Sequence, residues 1–133
     1  MGTASTLAPR KTVLIVDDDG ITLSFVADTL TAKYNVLTAT SGGEALQLSR
    51  DFKNEIHLLL SDFQMKGMTG IELATQMTAQ RPKIKVLLMS GYTAGMLVLN
   101  EGWHFLPKPF IPSQLRTLVA GLISPAKSKF EAA

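Results

Sequence analysis

Cysteine is absent from this 133-residue chain, which excludes a disulfide framework and thiolate chemistry. Long apolar runs are also absent, since none approaches the roughly 18 residues that a membrane-spanning helix needs. Charged residues make up only 18% of the sequence and apolar residues 46%, a balance that excludes an intrinsically disordered protein. A chain of this length buries about two thirds of its unfolded surface but cannot build two separate cores. One cytoplasmic globular domain is therefore expected.

The central part of the chain has no excess of positive charge, although the whole sequence is basic. Residues 12–124 hold nine basic and ten acidic side chains, and the remaining basic residues lie near the two ends. Direct nucleic-acid binding and membrane contact are therefore not expected. The composition predicts a flexible leader at 1–11, one domain at 12–124 and a flexible tail or linker at 125–133.

Strand-like and helix-like hydrophobic patterns alternate along the chain, with short connections and no internal repeat. The predicted strands lie at about 12–16, 35–39, 56–61, 84–89 and 103–106. The predicted helices lie at about 20–32, 42–53, 70–80 and 112–124, with a further short helix near 94–101. This alternation indicates an α/β domain with a parallel sheet. Two helix starts carry the capping-box pattern, at Ser41–Glu44 and Thr69–Glu72.

Four apolar runs each end in a polar residue, and these residues are of three chemical kinds. Asp17 and Asp18 follow the run at 13–16, Asp62 follows 57–61, Ser90 follows 85–89 and Lys108 follows 104–107. The carboxyl ends of parallel strands line one edge of a sheet, where ligands bind in α/β folds. These carboxylates, the hydroxyl and the ammonium should therefore converge. Such a set suits a divalent metal ion together with a phosphoryl group.

Five segments, in this order and spacing, resemble the receiver domain of bacterial two-component response regulators, including the chemotaxis regulators. They are VLIVDDD (13–19), SGGEAL (41–46), LLLSDFQMKGMTGIEL (58–73), VLLMSGYT (86–93) and FLPKPF (105–110). The resemblance covers about 12–124. It implies a flavodoxin-like doubly wound sheet of five parallel strands in the order 2-1-3-4-5, in a single three-layer domain whose fourth helix is shortened.

The resemblance implies a phosphoacceptor in a phosphorelay rather than an enzyme that turns over an external substrate. Asp62 would take a phosphoryl group from the phosphohistidine of a sensor histidine kinase or histidine phosphotransfer protein. Since carboxylate and phosphoryl group are both anionic, a cation must neutralise charge as they approach, and Mg²⁺ is the implied cofactor, with Mn²⁺ as a substitute. The implied metal ligands are Asp17, Asp18, Asp62 and the backbone carbonyl of Gln64. Lys108 and Ser90 would contact phosphoryl oxygens.

The same resemblance assigns secondary roles. Ser90 and Phe105 would form the conformational switch, and the lifetime of the phosphoryl group would be modulated by Gln64, Gly91 and Tyr92. The Lys108–Pro109 peptide bond is predicted to be cis, and Asp19 is predicted to be peripheral. The unknown output partner would bind the face of the fourth helix, fifth strand and fifth helix, and a homodimer is left open. The chain departs from the family at Lys66, where receivers usually have proline.

Two other classes of function compete with this interpretation. The stretch from Asp17 to Thr22 resembles the opening DxDGT motif of haloacid-dehalogenase-like phosphatases, with Asp17 as nucleophile and Asp19 as general acid. One extra residue precedes Thr22, however, and the late acidic motif is missing, because Glu131 is the only acid after Lys108. The second alternative is a phosphorylation-independent interaction module. Within the receiver hypothesis, the chain is either a stand-alone regulator or a receiver fragment of a hybrid histidine kinase.

Overall fold

A five-stranded parallel sheet with two helices on each face forms the part of the chain that the structure, a computed structural model, describes: residues 9–91 and 102–124. The strands are β1 (Thr12–Val16), β2 (Asn35–Ala39), β3 (Leu58–Asp62), β4 (Lys85–Ser90) and β5 (Trp103–Pro107). The helices are α1 (Gly20–Leu30), α2 (Gly42–Asp51), α3 (Gly70–Gln80) and α4 (Pro112–Ile123). The strand order β2-β1-β3-β4-β5 confirms the predicted topology.

Several sequence predictions fall outside the described ranges. They concern the short fourth helix near 94–101, Tyr92, most of the leader and the tail at 125–133. Among the helices that are described, none is long and apolar enough to cross a bilayer.

The sheet separates two hydrophobic clusters. Consecutive residues of β1, such as Leu14 and Ile15, point to opposite faces. The first face packs against α2 and α3, and the second against α1 and α4. β1 and β3 are buried along their whole length, as strands covered on both faces should be. This double burial explains why the central strands are the most apolar runs in the sequence.

The two predicted capping boxes differ in the structure. Thr69 and Glu72 form the reciprocal pair, in which each side chain accepts a hydrogen bond from the other residue's amide. Ser41 also accepts from the Glu44 amide, at 3.1 Å. The Glu44 carboxylate, however, accepts from the amide and hydroxyl of Thr40, so the prediction of a full box at Ser41 is wrong. Glu44 is thus paired with the residue before the N-cap.

Two arginines bind main-chain carbonyls at the edge of the sheet opposite the predicted site. Arg10 donates to carbonyls just beyond α1, with Ala32 at 2.7 Å and Thr31 at 2.9 Å. Arg81 donates to carbonyls at the end of α2, including Phe52 at 2.7 Å. Carbonyls at helix C-termini lack intrahelical partners and favour positive charge. Arg10 lies within the predicted leader, yet these acceptors hold it against the domain.

Candidate functional site

The predicted polar residues meet at the carboxyl edge of the sheet. Asp17 directly follows β1, Asp62 and Ser90 end β3 and β4, and Lys108 directly follows β5. These four strands are neighbours in the sheet and run parallel, so their ends lie side by side. Asp17, Asp62 and Ser90 are buried, with exposed fractions of 1%, 8% and 2%. The predicted convergence is thus present in the structure.

The Lys108 ammonium lies between two buried carboxylates. Its Nζ donates to Asp62 Oδ1 at 2.8 Å and to Asp17 Oδ2 at 3.4 Å. Asp17 Oδ1 accepts a second hydrogen bond, from the Asp19 amide at 2.9 Å. Asp18 is exposed, and its Oδ2 accepts from the Lys66 amide at 3.1 Å. One cation therefore bridges the two carboxylates that are most removed from water.

Main-chain contacts hold the strand ends in place. The Phe63 amide donates to the Met89 carbonyl and the Lys108 amide to the Ser90 carbonyl, both at 2.7 Å, so the ladder continues past the ends of β3 and β5. Gly70, at the start of α3, packs so tightly that a Cβ there would collide with the Asp62 carbonyl oxygen. A larger residue at position 70 would therefore displace Asp62.

The negative charge of Asp17 is only partly compensated by the groups around it. Burial raises the pKa of the Asp17 carboxyl above its usual value, despite the opposing hydrogen bond from Asp19 and the charge of Lys108. Partial burial works against the charged form of Lys108, but the hydrogen bond to Asp62 and the two negative charges outweigh it and raise the Lys108 pKa. Asp17 is therefore a carboxylate whose ionised form would gain from further positive charge nearby.

Three of the carboxylates are arranged as a cation site. Asp17, Asp18 and Asp62 each present an oxygen within 4.8 Å of the other two. Carboxylate oxygens are the ligands that Mg²⁺ prefers, and Mg²⁺ keeps several waters, so few protein ligands suffice. Together with the incomplete compensation of Asp17, this donor set fits the predicted cation. Gln64, the fourth predicted ligand, lies two residues beyond Asp62 in an exposed position.

The other predicted site residues are placed as follows. Phe105 pairs with Leu88 on β4, two residues before Ser90, and residues two apart in a strand share a face. Phe105 and Ser90 therefore lie on the same side of the sheet. A Cβ on Gly91 would still be 4.0 Å from the Cβ of Lys108, so there is room beside the base of this side chain. The Lys108–Pro109 peptide bond is cis, as predicted.

Asp19 caps a helix. Its Oδ2 accepts from the Thr22 hydroxyl at 2.6 Å and from the Thr22 amide at 3.3 Å. These hydrogen bonds lower the pKa of Asp19, the hydroxyl contributing most. A lowered pKa disfavours the protonated form that a general acid requires, so this geometry gives no support to the phosphatase alternative.

An apolar patch beside Lys108 was missed in the sequence. Ile21, Phe25 and Ile111 are the large hydrophobic side chains exposed in the described part of the chain, at 81%, 39% and 58%. Phe25 contacts Phe110 with ring centroids 6.1 Å apart. A shallow cavity beside them is lined by Thr22, Phe25, Lys108, Pro109 and Phe110. We call Ile21, Phe25, Phe110 and Ile111 the α1 patch. The sequence did carry a signal for this patch. Ile21 and Phe25 are apolar, lie four residues apart on α1 and do not belong to its buried stripe.

Comparison with known sequences identifies relatives over most of the chain. Residues 13–120 match the family model for the response regulator receiver domain. Sensor kinase CckA of Brucella abortus is 34% identical over 125 residues, which is 90% of this chain and 13% of CckA. Two-component response regulator ORR6 of Oryza sativa subsp. japonica is 33% identical, over 80% of this chain and 67% of ORR6. Hydrogenase transcriptional regulatory protein HoxA of Cupriavidus necator is 31% identical, and the match spans 23% of it. The chain thus spans less than a quarter of CckA and HoxA.

Solved structures show the same fold. The receiver domain of hybrid histidine kinase CckA superposes with a TM-score of 0.75 at 32% identity, over 85% of this chain and 99% of that one. Chemotaxis protein CheY4 of Vibrio cholerae gives a TM-score of 0.75 at 30% identity, over 85% and 98% of the two chains.

Proposed function

The chain belongs to the response regulator receiver domain family, and from this premise we propose that Asp62 accepts a phosphoryl group from a phosphohistidine in a Mg²⁺-dependent reaction. The observation that carries the proposal is the buried Asp62 carboxylate, 2.8 Å from the Lys108 ammonium and grouped with Asp17 and Asp18. This arrangement provides a nucleophile, a donor for a phosphoryl oxygen and three carboxylate ligands at one strand edge.

The residues divide the reaction between them. Lys108 binds Oδ1 of Asp62, so Oδ2 is the oxygen that attacks phosphorus. As the new O–P bond forms, the P–N bond of the phosphohistidine breaks and the donor imidazole keeps the electron pair. Asp17, Asp18, Asp62 and the Gln64 carbonyl would hold the Mg²⁺, which would supply charge neutralisation between the anions. Lys108 then turns from the carboxylate to a phosphoryl oxygen, and the Ser90 hydroxyl donates to another.

Incubation with acetyl phosphate and Mg²⁺ should add one phosphoryl group per chain, as measured by intact mass spectrometry. Asp62→Asn should abolish the addition, because an amide oxygen is a far poorer nucleophile than a carboxylate. Asp19→Asn is the matched control, since Asp19 caps α1, and it should be phosphorylated like the wild type. An unmodified wild type, or an equal gain in Asp62→Asn, would contradict the proposal and favour the phosphorylation-independent interaction module.

Loss of the phosphoryl group to water depends on access to the acyl phosphate. Gln64 is exposed two residues beyond Asp62, and Gly91 leaves space beside the Lys108 Cβ. We assign the modulation of this hydrolysis to Gln64, Gly91 and Tyr92, the last on family resemblance alone.

The proposed switch couples Ser90 to Phe105. Both lie on the sheet face that also carries Trp103, so a movement of Ser90 toward the phosphoryl group changes the packing available to Phe105. Phosphorylation can shift this equilibrium only by binding one state better. With Mg²⁺ and beryllofluoride as a phosphoryl mimic, the Trp103 fluorescence should change in the wild type. Ser90→Ala should bind the mimic with a smaller change. An undiminished change in Ser90→Ala would contradict the coupling.

The α1 patch is the proposed contact for the phosphohistidine donor. It adjoins Lys108, and exposed apolar groups beside a reactive site mark protein contacts. Ile21→Ser should slow transfer from an autophosphorylated sensor kinase by about tenfold, the effect of truncating an interface anchor. The same variant should react with acetyl phosphate at the wild-type rate, because this small donor needs no docking. Equal losses with both donors would count against a docking role.

The relatives include a sensor kinase and a two-component response regulator. We propose a cytoplasmic bacterial phosphorelay in which the chain acts as a stand-alone regulator or as the receiver of a hybrid histidine kinase. The output partner would bind β5, α4 and the predicted helix near 94–101, a face that would also serve a homodimer.

A further inference from the structure

We propose that the main-chain amide of Lys66 is a positioning group that orients the Asp18 carboxylate for the divalent cation, an inference that rests on the proposed function. The Lys66 amide donates to Asp18 Oδ2 at 3.1 Å across 48 residues of sequence. It thereby ties the loop after β3 to the loop after β1, and the two loops carry the acidic residues of the site.

Asp18 needs such a contact more than the other two carboxylates. Asp17 and Asp62 are buried, and both are bound by Lys108. Asp18 is exposed, and within residues 9–91 and 102–124 the Lys66 amide is its single hydrogen-bond donor. An exposed carboxylate otherwise rotates, and a metal ion that binds it must offset the lost side-chain entropy. Partners that orient metal ligands typically change metal affinity by about 10- to 100-fold.

The loop is built to present this amide. The Phe63 amide binds β4 at one end, and the Gly70 amide donates to the Phe63 carbonyl at 2.8 Å at the other. Between them Gly67 has a φ of 84°, a conformation that glycine adopts without strain. Lys66 precedes this turn, and its amide faces Asp18. Proline has no N–H and cannot donate this bond. The contact is thus unavailable to receivers that carry the usual proline here.

Three proteins separate the amide from the side chain: the wild type, Lys66→Ala, which keeps the amide, and Lys66→Pro, which lacks it. Mg²⁺ binding to the unphosphorylated proteins is measured by isothermal titration calorimetry. Lys66→Ala should bind within about twofold of the wild type, and Lys66→Pro at least about tenfold more weakly. The Mg²⁺ concentration for half-maximal phosphorylation by acetyl phosphate should rise in parallel. The rate at saturating Mg²⁺ should remain within about twofold, which a general structural defect would not produce.

Each outcome decides the proposal. Equal affinities for Lys66→Pro and Lys66→Ala would overturn it, and so would a loss in both variants, since that assigns the effect to the ammonium. If Lys66→Pro lowers the unfolding temperature in EDTA, a chain with an ester in place of the Met65–Lys66 peptide bond replaces it in the Mg²⁺ titration. The same loss of Mg²⁺ affinity is then expected, and an unchanged affinity would overturn the proposal. This ester removes the N–H and keeps the side chain. A wild type without Mg²⁺ binding would instead refute the proposed function itself.

Discussion

Replacing Lys108 with alanine is expected to slow the Mg²⁺-dependent phosphorylation of Asp62 by about 100- to 1,000-fold, the usual cost of removing one preorganised donor from a developing anion. Lys108 already lies 2.8 Å from Asp62 Oδ1, so it reaches a phosphoryl oxygen with little rearrangement. Phosphoryl transfer depends almost entirely on positioning and charge stabilisation. The initial rate of phosphoryl gain from acetyl phosphate, followed by intact mass, measures the loss. Lys66→Ala is the matched control, because it removes another lysine of the same edge.

The same substitution should destabilise the metal-free protein. Lys108 neutralises Asp17 and Asp62, and removal of one member of a buried ion pair typically costs 3–5 kcal/mol. Its side chain is 25% exposed, so we expect about 2 kcal/mol in the free energy of unfolding. Because the folded-state pKa of Lys108 is raised, this stabilisation is present below its unfolded value and is lost only as the pH rises through the folded pKa. Added Mg²⁺ should restore part of it. If Lys108→Ala has the wild-type rate and stability, Lys108 neither stabilises the transferred phosphoryl group nor neutralises Asp17 and Asp62.

The strands, helices and reactive residues were predictable because they depend on local sequence, whereas the strand order was implied by the family resemblance. Apolar runs predict buried strands, and a polar residue after such a run lies at the strand end whatever the rest of the chain does. Asp17, Asp62, Ser90 and Lys108 were located by this logic, and the parallel topology brings them together.

Contacts between distant loops were not predictable in this way. The Lys66 amide reaches Asp18 through the path of a loop, which hydrophobic periodicity does not encode. Arg10 binds helix carbonyls more than 20 residues away, although its sequence neighbourhood resembles a leader. Glu44 accepts from the amide and hydroxyl of Thr40 rather than from the expected amide of Ser41. In each case the outcome depends on which partners the folded chain brings close.

Asp17→Asn is expected to make the metal-free protein more stable at neutral pH while removing a cation ligand. Asp17 is 1% exposed, and burial raises the pKa of its carboxyl. The folded state therefore favours the protonated form. The stability that the protonated Asp17 carboxyl contributes is fully present below its unfolded pKa of 3.8. It is lost as the pH rises through the folded-state pKa. Asparagine keeps an oxygen that can accept from the Asp19 amide, and it carries no charge.

In EDTA at pH 7, Asp17→Asn should raise the free energy of unfolding by about 1 kcal/mol and the melting temperature by roughly 4 °C. The gain should fall toward zero near pH 3, where the wild-type carboxyl is also neutral. Asp28→Asn, on the exposed side of α1, is the control for removing a negative charge and should have little effect.

Mg²⁺ should reverse this order of stability, because a ligand that binds only the folded state stabilises it in proportion to its occupancy. The wild type should gain stability with increasing Mg²⁺, and Asp17→Asn should gain much less. A variant less stable than the wild type in EDTA would mean that the ion pair with Lys108 outweighs the cost of burying Asp17. A variant more stable than the wild type in EDTA would show that the Asp17 carboxylate destabilises the metal-free fold. Its role would then be to bind the cation.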